Sequence, residues 1–140
     1  MLHDIGLVPA FDNVSLSYEE AGGHVAVALT AGAGWPSERR KRALDVIVRH
    51  NWATVDPDLD EEGYLLEAAT ALDVLGARAE VIPVVCVEAV LAEHPRGTLG
   101  EEFGTCVSQQ AERKPDSAAR RIVDAGLTGR LAHHPHAERG

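Results

Sequence analysis

Aromatic residues, cysteines and long apolar runs are all scarce in this 140-residue chain. Phe, Trp and Tyr make up only 4% of it, so a core must come mainly from Ala, Val, Leu and Ile. Its two cysteines, Cys86 and Cys106, are too few for a disulfide framework or a four-thiolate zinc site, and they predict reduced thiols. No apolar run reaches the roughly 18 residues of a membrane span, and the acidic Asp4 argues against a signal peptide. We therefore expect a cytoplasmic protein without a membrane partner.

Positive charge is also in short supply. Lys and Arg total 13 against 22 Asp and Glu, which gives a net charge of −9, and no basic residue precedes Arg39. Such a chain repels phosphate backbones, so we expect no general nucleic-acid binding. The length suits one domain with a real core.

Helix start and stop signals recur along the chain. Ser17 followed by Glu20, and Thr98 followed by Glu101, have capping-box spacing, and Gly or Pro residues close the apolar stretches between them. The pattern predicts helices over roughly 17–29, 37–50, 61–75, 83–94, 98–114 and 117–126. Residues 81–88 favour a strand by composition, but a lone strand has nothing to pair with. We predict an all-α domain over 1–130 and a disordered tail over 131–140.

Polar residues interrupt the apolar stripes of these helices at informative positions. His50 continues the stripe of the second helix, and Asp73 continues the stripe of the third. The adjacent pair His3 and Asp4 is flanked by apolar residues and could offer an imidazole and a carboxylate to one metal ion. Each feature also has an ordinary explanation, namely a hydrogen-bonded core histidine, a solvated aspartate or a chance dipeptide.

The segment LHDIGL at residues 2–7 resembles the signature of HD-domain metalloproteins, an all-helical superfamily of metal-dependent hydrolases. Within it the chain is similar to the cyanamide hydratase-like branch, because further segments resemble that branch in order. These are YEEAG at 18–22, VIVRH at 46–50, ALDVLG at 71–76 and QAERKP at 110–115. The resemblance implies an HD-domain-like helical bundle.

The resemblance also implies roles for individual residues. His3, Asp4 and Asp73 match metal ligands, so a divalent ion (Zn, Fe or Mn) is the expected cofactor. His50 and Glu19 match positions lining the site, where they would transfer a proton or contact the substrate. The implied chemistry is addition of metal-activated water to a small molecule, at a nitrile carbon in a hydratase.

The resemblance has one serious departure, because family members carry another ligand histidine on a helix before the His-Asp pair. Here Met1 stands just ahead of that pair, so the bundle is expected to lack the usual N-terminal helices. A fragment or mis-assigned start, a helix supplied by another chain, and a site that has lost its metal are the three explanations. Without those helices, apolar faces of the remaining ones would be uncovered. We would then expect a second copy of the chain, or another chain, to cover them.

Three functions follow from these observations. The first is a metal-dependent hydratase or hydrolase acting on a small molecule. The second is a non-catalytic helical module that binds a protein partner or forms a subunit of a larger complex. The third is an HD phosphohydrolase acting on a nucleotide, for which the sequence offers no assignable anion-binding group. The run HHPH at 133–136 and the basic run at 39–42 are expected to be solvated.

Overall fold

A computed structural model describes residues 2–136. Its helices are α1 (Tyr18–Gly32), α2 (Ser37–Arg49), α3 (Glu61–Leu75), α4 (Val84–Glu93), α5 (Leu99–Arg113), α6 (Ala118–Asp124) and α7 (Leu127–Ala132). Short 3₁₀ turns occupy Ile5–Leu7 and Ala79–Val81. No strand occurs over residues 2–136, so the all-α prediction is confirmed.

The capping signals account for most helix boundaries. The backbone N–H and the hydroxyl of Ser17 donate to Glu20 Oε2 at 3.0 and 2.7 Å, as part of the predicted capping box at the start of α1. The second predicted capping box does not form, because the Thr98 hydroxyl donates to Glu102 at 2.6 Å instead of pairing with Glu101. The apolar stretch 81–88 becomes the end of a turn followed by the first residues of α4.

The core lies where α1, α5, α6 and α7 meet. Its buried members are Tyr18, Val107, Ala111, Ala119 and Leu127. Helix α1 packs along α2, α5 packs along α6, and α7 contacts α3, α5 and α6. The turn at Ile5–Leu7 packs against α1 and α5, which brings the start of the chain onto the core.

Two glycines allow this N-terminal segment to approach α1 closely. A Cβ atom at Gly6 would overlap the carbonyl oxygen of Tyr18, and one at Gly22 would lie 3.0 Å from the carbonyl oxygen of His3. Backbone atoms cannot swing aside as flexible side chains can, so the contact at Gly6 requires glycine, and a side chain at Gly22 would force the His3 carbonyl to shift by a few tenths of an ångström. Gly6 in LHDIGL therefore lies against YEEAG, and Gly22 in YEEAG lies against LHDIGL. This close contact is the seam between Gly6 and Gly22.

The end of the chain differs from the expected disordered tail. Leu131 and Ala132 belong to α7, which the sequence did not predict, and Leu131 packs against the core. His134 is only 6% exposed, and Pro135 lies against Gly76 at the end of α3. The physical reason is that the side chains of Leu131, His134 and Pro135 pack against the rest of the protein. Residues 137–140 lie outside the described part of the chain.

Helix α4 stands apart from this packing. None of its residues is buried, and its exposed apolar side chains include Val84, Val85 and Val90. Over the described residues, no helix combines the length and apolar character needed to cross a membrane.

Candidate metal centre

Three residues from two separate segments converge beside the core. His3 and Asp4 precede the first turn, and His50 follows the last residue of α2. One potential ligand atom from each lies within 4.8 Å of the others. His3 Nε2 is 3.0 Å from Asp4 Oδ2, and His50 Nε2 is 3.3 Å from Asp4 Oδ1. The two imidazole rings meet edge to face, with centroids 5.0 Å apart.

The ring of His50 is held in one orientation. Its side chain is 3% exposed, and its Nδ1 bonds the carbonyl oxygen of Ile47. A carbonyl oxygen can only accept, so Nδ1 carries a proton and the Nε2 of a neutral ring presents a lone pair. Metal-binding histidines commonly use their second nitrogen in this way. The predicted core position of His50 is confirmed, and its free nitrogen faces Asp4.

Asp4 is the centre of this group. Burial raises the pKa of its carboxyl, but the contacts with His3 and His50 outweigh burial and lower the pKa to about 2. Although Oδ1 lies near His50, it makes no hydrogen bond with any described residue. A carboxylate oxygen and an imidazole lone pair that face each other repel unless a cation or a proton lies between them. Oδ1 of Asp4 and Nε2 of His50 are therefore suited to bind one cation between them.

The group opens onto a cavity of about 610 Å³. Asp4, Tyr18 and His50 line one part of it. Apolar side chains of α3, α5, α6 and α7 line much of the remainder, among them Val74, Leu75, Phe103, Ile122 and Leu127. A mostly apolar wall with a few converging polar groups is typical of small-molecule sites.

Asp73, predicted as a third metal ligand, does not join the group. Its side chain is 60% exposed and its Oδ1 accepts from Arg96 at 2.5 Å. The apolar stripe assumed for the third helix was wrong in phase, since Ala69 on that stripe is also exposed. The face of α3 that lines the cavity instead carries Tyr64, Glu67, Thr70, Ala71 and Val74.

Glu19, predicted to act in the site, is buried but turned elsewhere. It is 6% exposed and lines a separate groove of about 480 Å³ with Ser17, Lys114 and Arg121. It is not among the three converging residues, because the helix turns its side chain away from that of Tyr18. Among the described residues, Glu19 therefore forms no hydrogen bond or ion pair with His3, Asp4 or His50.

Two residues in the cavity wall were not predicted as site residues. Tyr18 is 1% exposed, and its hydroxyl oxygen accepts a hydrogen bond of 2.7 Å from the Asn51 side-chain amide. Burial raises the pKa of Tyr18 well above its usual value, and the negative charges of Asp4 and Glu19 raise it further. The sequence signal was present, since both residues lie in or beside the segments that resemble the HD family.

The fold and site define an all-α protein with a mixed imidazole and carboxylate group at the wall of a cavity. In sequence, the chain is 28% identical over 117 residues to two Saccharomyces cerevisiae proteins, Cyanamide hydratase DDI2 and Cyanamide hydratase DDI3. Each match covers 82% of this chain and 52% of the relative, so the chain spans about half the length of the curated relatives it matches. No protein-family model matches the chain, and no solved structure matches it.

Proposed function

We propose that this chain carries the site of a metal-dependent hydratase of the HD type that adds water to cyanamide or a similar small nitrile. One observation supports this most directly. Donor atoms of His3, Asp4 and His50 lie within 4.8 Å of one another, at the wall of a cavity. Distant similarity to two cyanamide hydratases over 82% of the chain supports the same chemistry.

His3, Asp4 and His50 would hold the metal ion. Two imidazoles and one carboxylate suit zinc, iron or manganese, and three protein ligands leave positions open for water and substrate. Oδ1 of Asp4, which makes no hydrogen bond with a described residue, and the lone pair on Nε2 of His50 fit such an ion. When bound, the ion would lower the pKa of a water molecule towards neutrality and so supply hydroxide.

The chain's own residues would orient the reactants. The Ile47 carbonyl keeps the ring of His50 in place, and the apolar side chains of the cavity wall would contact the substrate. In the reaction the water oxygen bonds to the nitrile carbon while one C–N π bond breaks. The nitrogen gains a proton that the water loses, and a second proton shift from oxygen to nitrogen gives the amide. Cyanamide plus water thus gives urea without a leaving group.

Urea production from cyanamide tests the proposal. We expect turnover when the purified protein is loaded with zinc, iron or manganese and none after chelation. His3→Ala should abolish turnover, while the matched change of an exposed histidine on α1, His24→Ala, should leave it intact. Absence of urea with all three metals, or full activity after chelation, would contradict the proposal.

A phosphohydrolase acting on a nucleotide is a second candidate. Arg121 and Arg130 line the same cavity as His50, which places two guanidinium groups where a phosphate could reach them. Release of inorganic phosphate from nucleoside monophosphates, lost in Arg121→Ala, would favour this activity. Urea formation without phosphate release would favour the hydratase.

A non-catalytic module that binds a partner is the third candidate, and α4 favours it. Exposed Val84, Val85 and Val90 on one unpacked helix are unusual for a protein that stays alone in solution. Size-exclusion chromatography with light scattering should show a homo-oligomer or a complex if this face is covered. A metal-free oligomer without turnover would favour the module, whereas a monomer would count against a covered α4 face.

A further inference from the structure

Asn51 and Tyr18 form a polar pair beside the three converging residues. The Asn51 amide donates to the Tyr18 hydroxyl oxygen over 2.7 Å, and both side chains line the cavity that Asp4 and His50 also line. The ring of Tyr18 lies edge to face with the ring of His50, with centroids 6.3 Å apart. The phenol is therefore a neighbour of the candidate metal group.

The direction of this hydrogen bond decides what the phenol can do. A tyrosine hydroxyl has one proton to donate as well as lone pairs that accept. Because Asn51 donates, it uses a lone pair and leaves the phenol proton free. Among residues 2–136, no group accepts that proton within hydrogen-bond geometry. A buried donor without an acceptor is costly unless a ligand or water supplies the acceptor.

The phenol is also held rigidly. Tyr18 is the first residue of α1, 1% exposed, and packed in the core with Val107 and Leu127. Its backbone carbonyl is fixed against Gly6 in the segment that carries His3 and Asp4. A donor that is already oriented stabilises developing charge without reorganising during the reaction.

We propose that Tyr18 is a catalytic residue that donates a hydrogen bond to the nitrile nitrogen, and that Asn51 is the positioning residue that reserves its proton for this use. The inference rests on the proposed hydratase function. As the water oxygen bonds to the nitrile carbon, an electron pair moves onto the nitrogen, and the Tyr18 hydroxyl stabilises that charge. The substrate class is a neutral molecule whose reacting end accepts a hydrogen bond.

Replacing the phenol is the first test. Tyr18→Phe removes only the hydroxyl, and we expect a loss in kcat of about 10²-fold with little change in KM, as for a single preorganised donor. His24→Ala is the control, since it changes an exposed residue of the same helix that does not line the cavity. Thermal unfolding and metal content of both variants should match the unaltered chain. Equal kcat values for Tyr18→Phe and His24→Ala would overturn the role.

Reversing the polarity of the positioning residue is the second test. Asn51→Asp puts an acceptor where the donor was, so the phenol proton turns to the carboxylate and is withdrawn from the substrate. We expect kcat to fall nearly as far as in Tyr18→Phe, with the hydroxyl still present. Adding Tyr18→Phe to Asn51→Asp should then lower kcat little further, because both changes remove the same hydrogen bond from the phenol to the substrate. Full activity of Asn51→Asp, or additive losses, would contradict the positioning role of Asn51.

A spectroscopic measurement separates this inference from the proposed function. In protein freed of metal by a chelator, hydrogen bonding should shift the nitrile stretch of bound cyanamide in the unaltered chain and in His24→Ala, but not in Tyr18→Phe. If cyanamide is hydrated and its band is the same with and without the phenol, only the role of Tyr18 fails. If the unaltered protein neither binds nor hydrates cyanamide, the proposed function fails and takes this inference with it.

Discussion

Nε2 of His50 lies 3.3 Å from Oδ1 of Asp4, although one residue follows α2 and the other lies near the start of the chain. This contact predicts which carboxylate holds a metal. Asp4→Ala should remove bound metal, measured by elemental analysis after dialysis against zinc. Asp73→Ala should not, because Asp73 is 60% exposed and paired with Arg96.

These two variants also compare the structure with the family resemblance, which implied that both aspartates are ligands. Loss of metal from Asp73→Ala would show that α3 adopts a different position in the metal-bound protein. Retention of metal by Asp4→Ala would remove the candidate centre altogether. Unfolding temperatures measured in parallel would show whether either variant loses metal merely by unfolding.

Gly6 should be intolerant of any side chain. A Cβ atom there overlaps the Tyr18 carbonyl oxygen, so Gly6→Ala should force the Ile5–Leu7 turn away from α1 and cost about 1–3 kcal/mol in the free energy of unfolding. Gly100→Ala is the control. It adds the same methyl group in open space on α5, where it should stabilise the helix by about 0.5–1 kcal/mol. Urea denaturation of both variants measures the difference, and similar midpoints would refute the close contact.

Asp60 joins two helices through charge and should be important for stability. It is 6% exposed, pairs with Arg42 and Arg49 of α2, and accepts from the Gly63 N–H at the start of α3. Asp60→Ala should cost about 2 kcal/mol from the lost cap and ion pairs. Glu62→Ala, which removes a 67% exposed partner of Arg42, should cost under about 0.5 kcal/mol.

The same carboxylate should make unfolding sensitive to acid. The bond from Arg42 holds the pKa of Asp60 well below its usual range, more than burial raises it. A lowered folded-state pKa gives stability that is present above the ordinary aspartate pKa of about 4 and is lost as the pH falls further. Urea midpoints should therefore decline below about pH 4 less steeply in Asp60→Ala than in the unaltered chain. Parallel declines would contradict the ion-pair assignment.

His134 should give the chain a second, milder pH dependence. Burial lowers its pKa, and the positive charge of Arg96 lowers it further, while its Nδ1 accepts from the His136 N–H at 3.1 Å. The unfolded chain then binds a proton more readily, so stability should fall from about pH 7 to about pH 5. His134→Gln should reduce this decline, whereas the same change at the exposed neighbour His133 should not. Thermal unfolding at both pH values provides the comparison.

Local sequence signals predicted most helices because most of them are bounded by a capping residue, a glycine or a proline. They missed α7, since Gly126 was taken only as the end of the sixth helix, whereas its left-handed backbone also begins a six-residue helix too short to show periodicity. The family resemblance implied that His3, Asp4, Asp73, His50 and Glu19 share one site, and of these the structure brings His3, Asp4 and His50 together. Local signals could not place Asp73, because apolar residues occur around much of α3 and the pairing with Arg96 depends on distant packing.

The seam between Gly6 and Gly22 bears on how related chains should be recognised. A related protein can keep the three side chains of the candidate centre and still lose their arrangement if a methyl group at either glycine pushes the first turn off the first helix. A search for relatives that keep this candidate centre should therefore require both glycines at this spacing as well as the histidines and the aspartate. Because Gly6 and Gly22 have no side chains, the first turn lies close enough to α1 for His3 and Asp4 to meet His50.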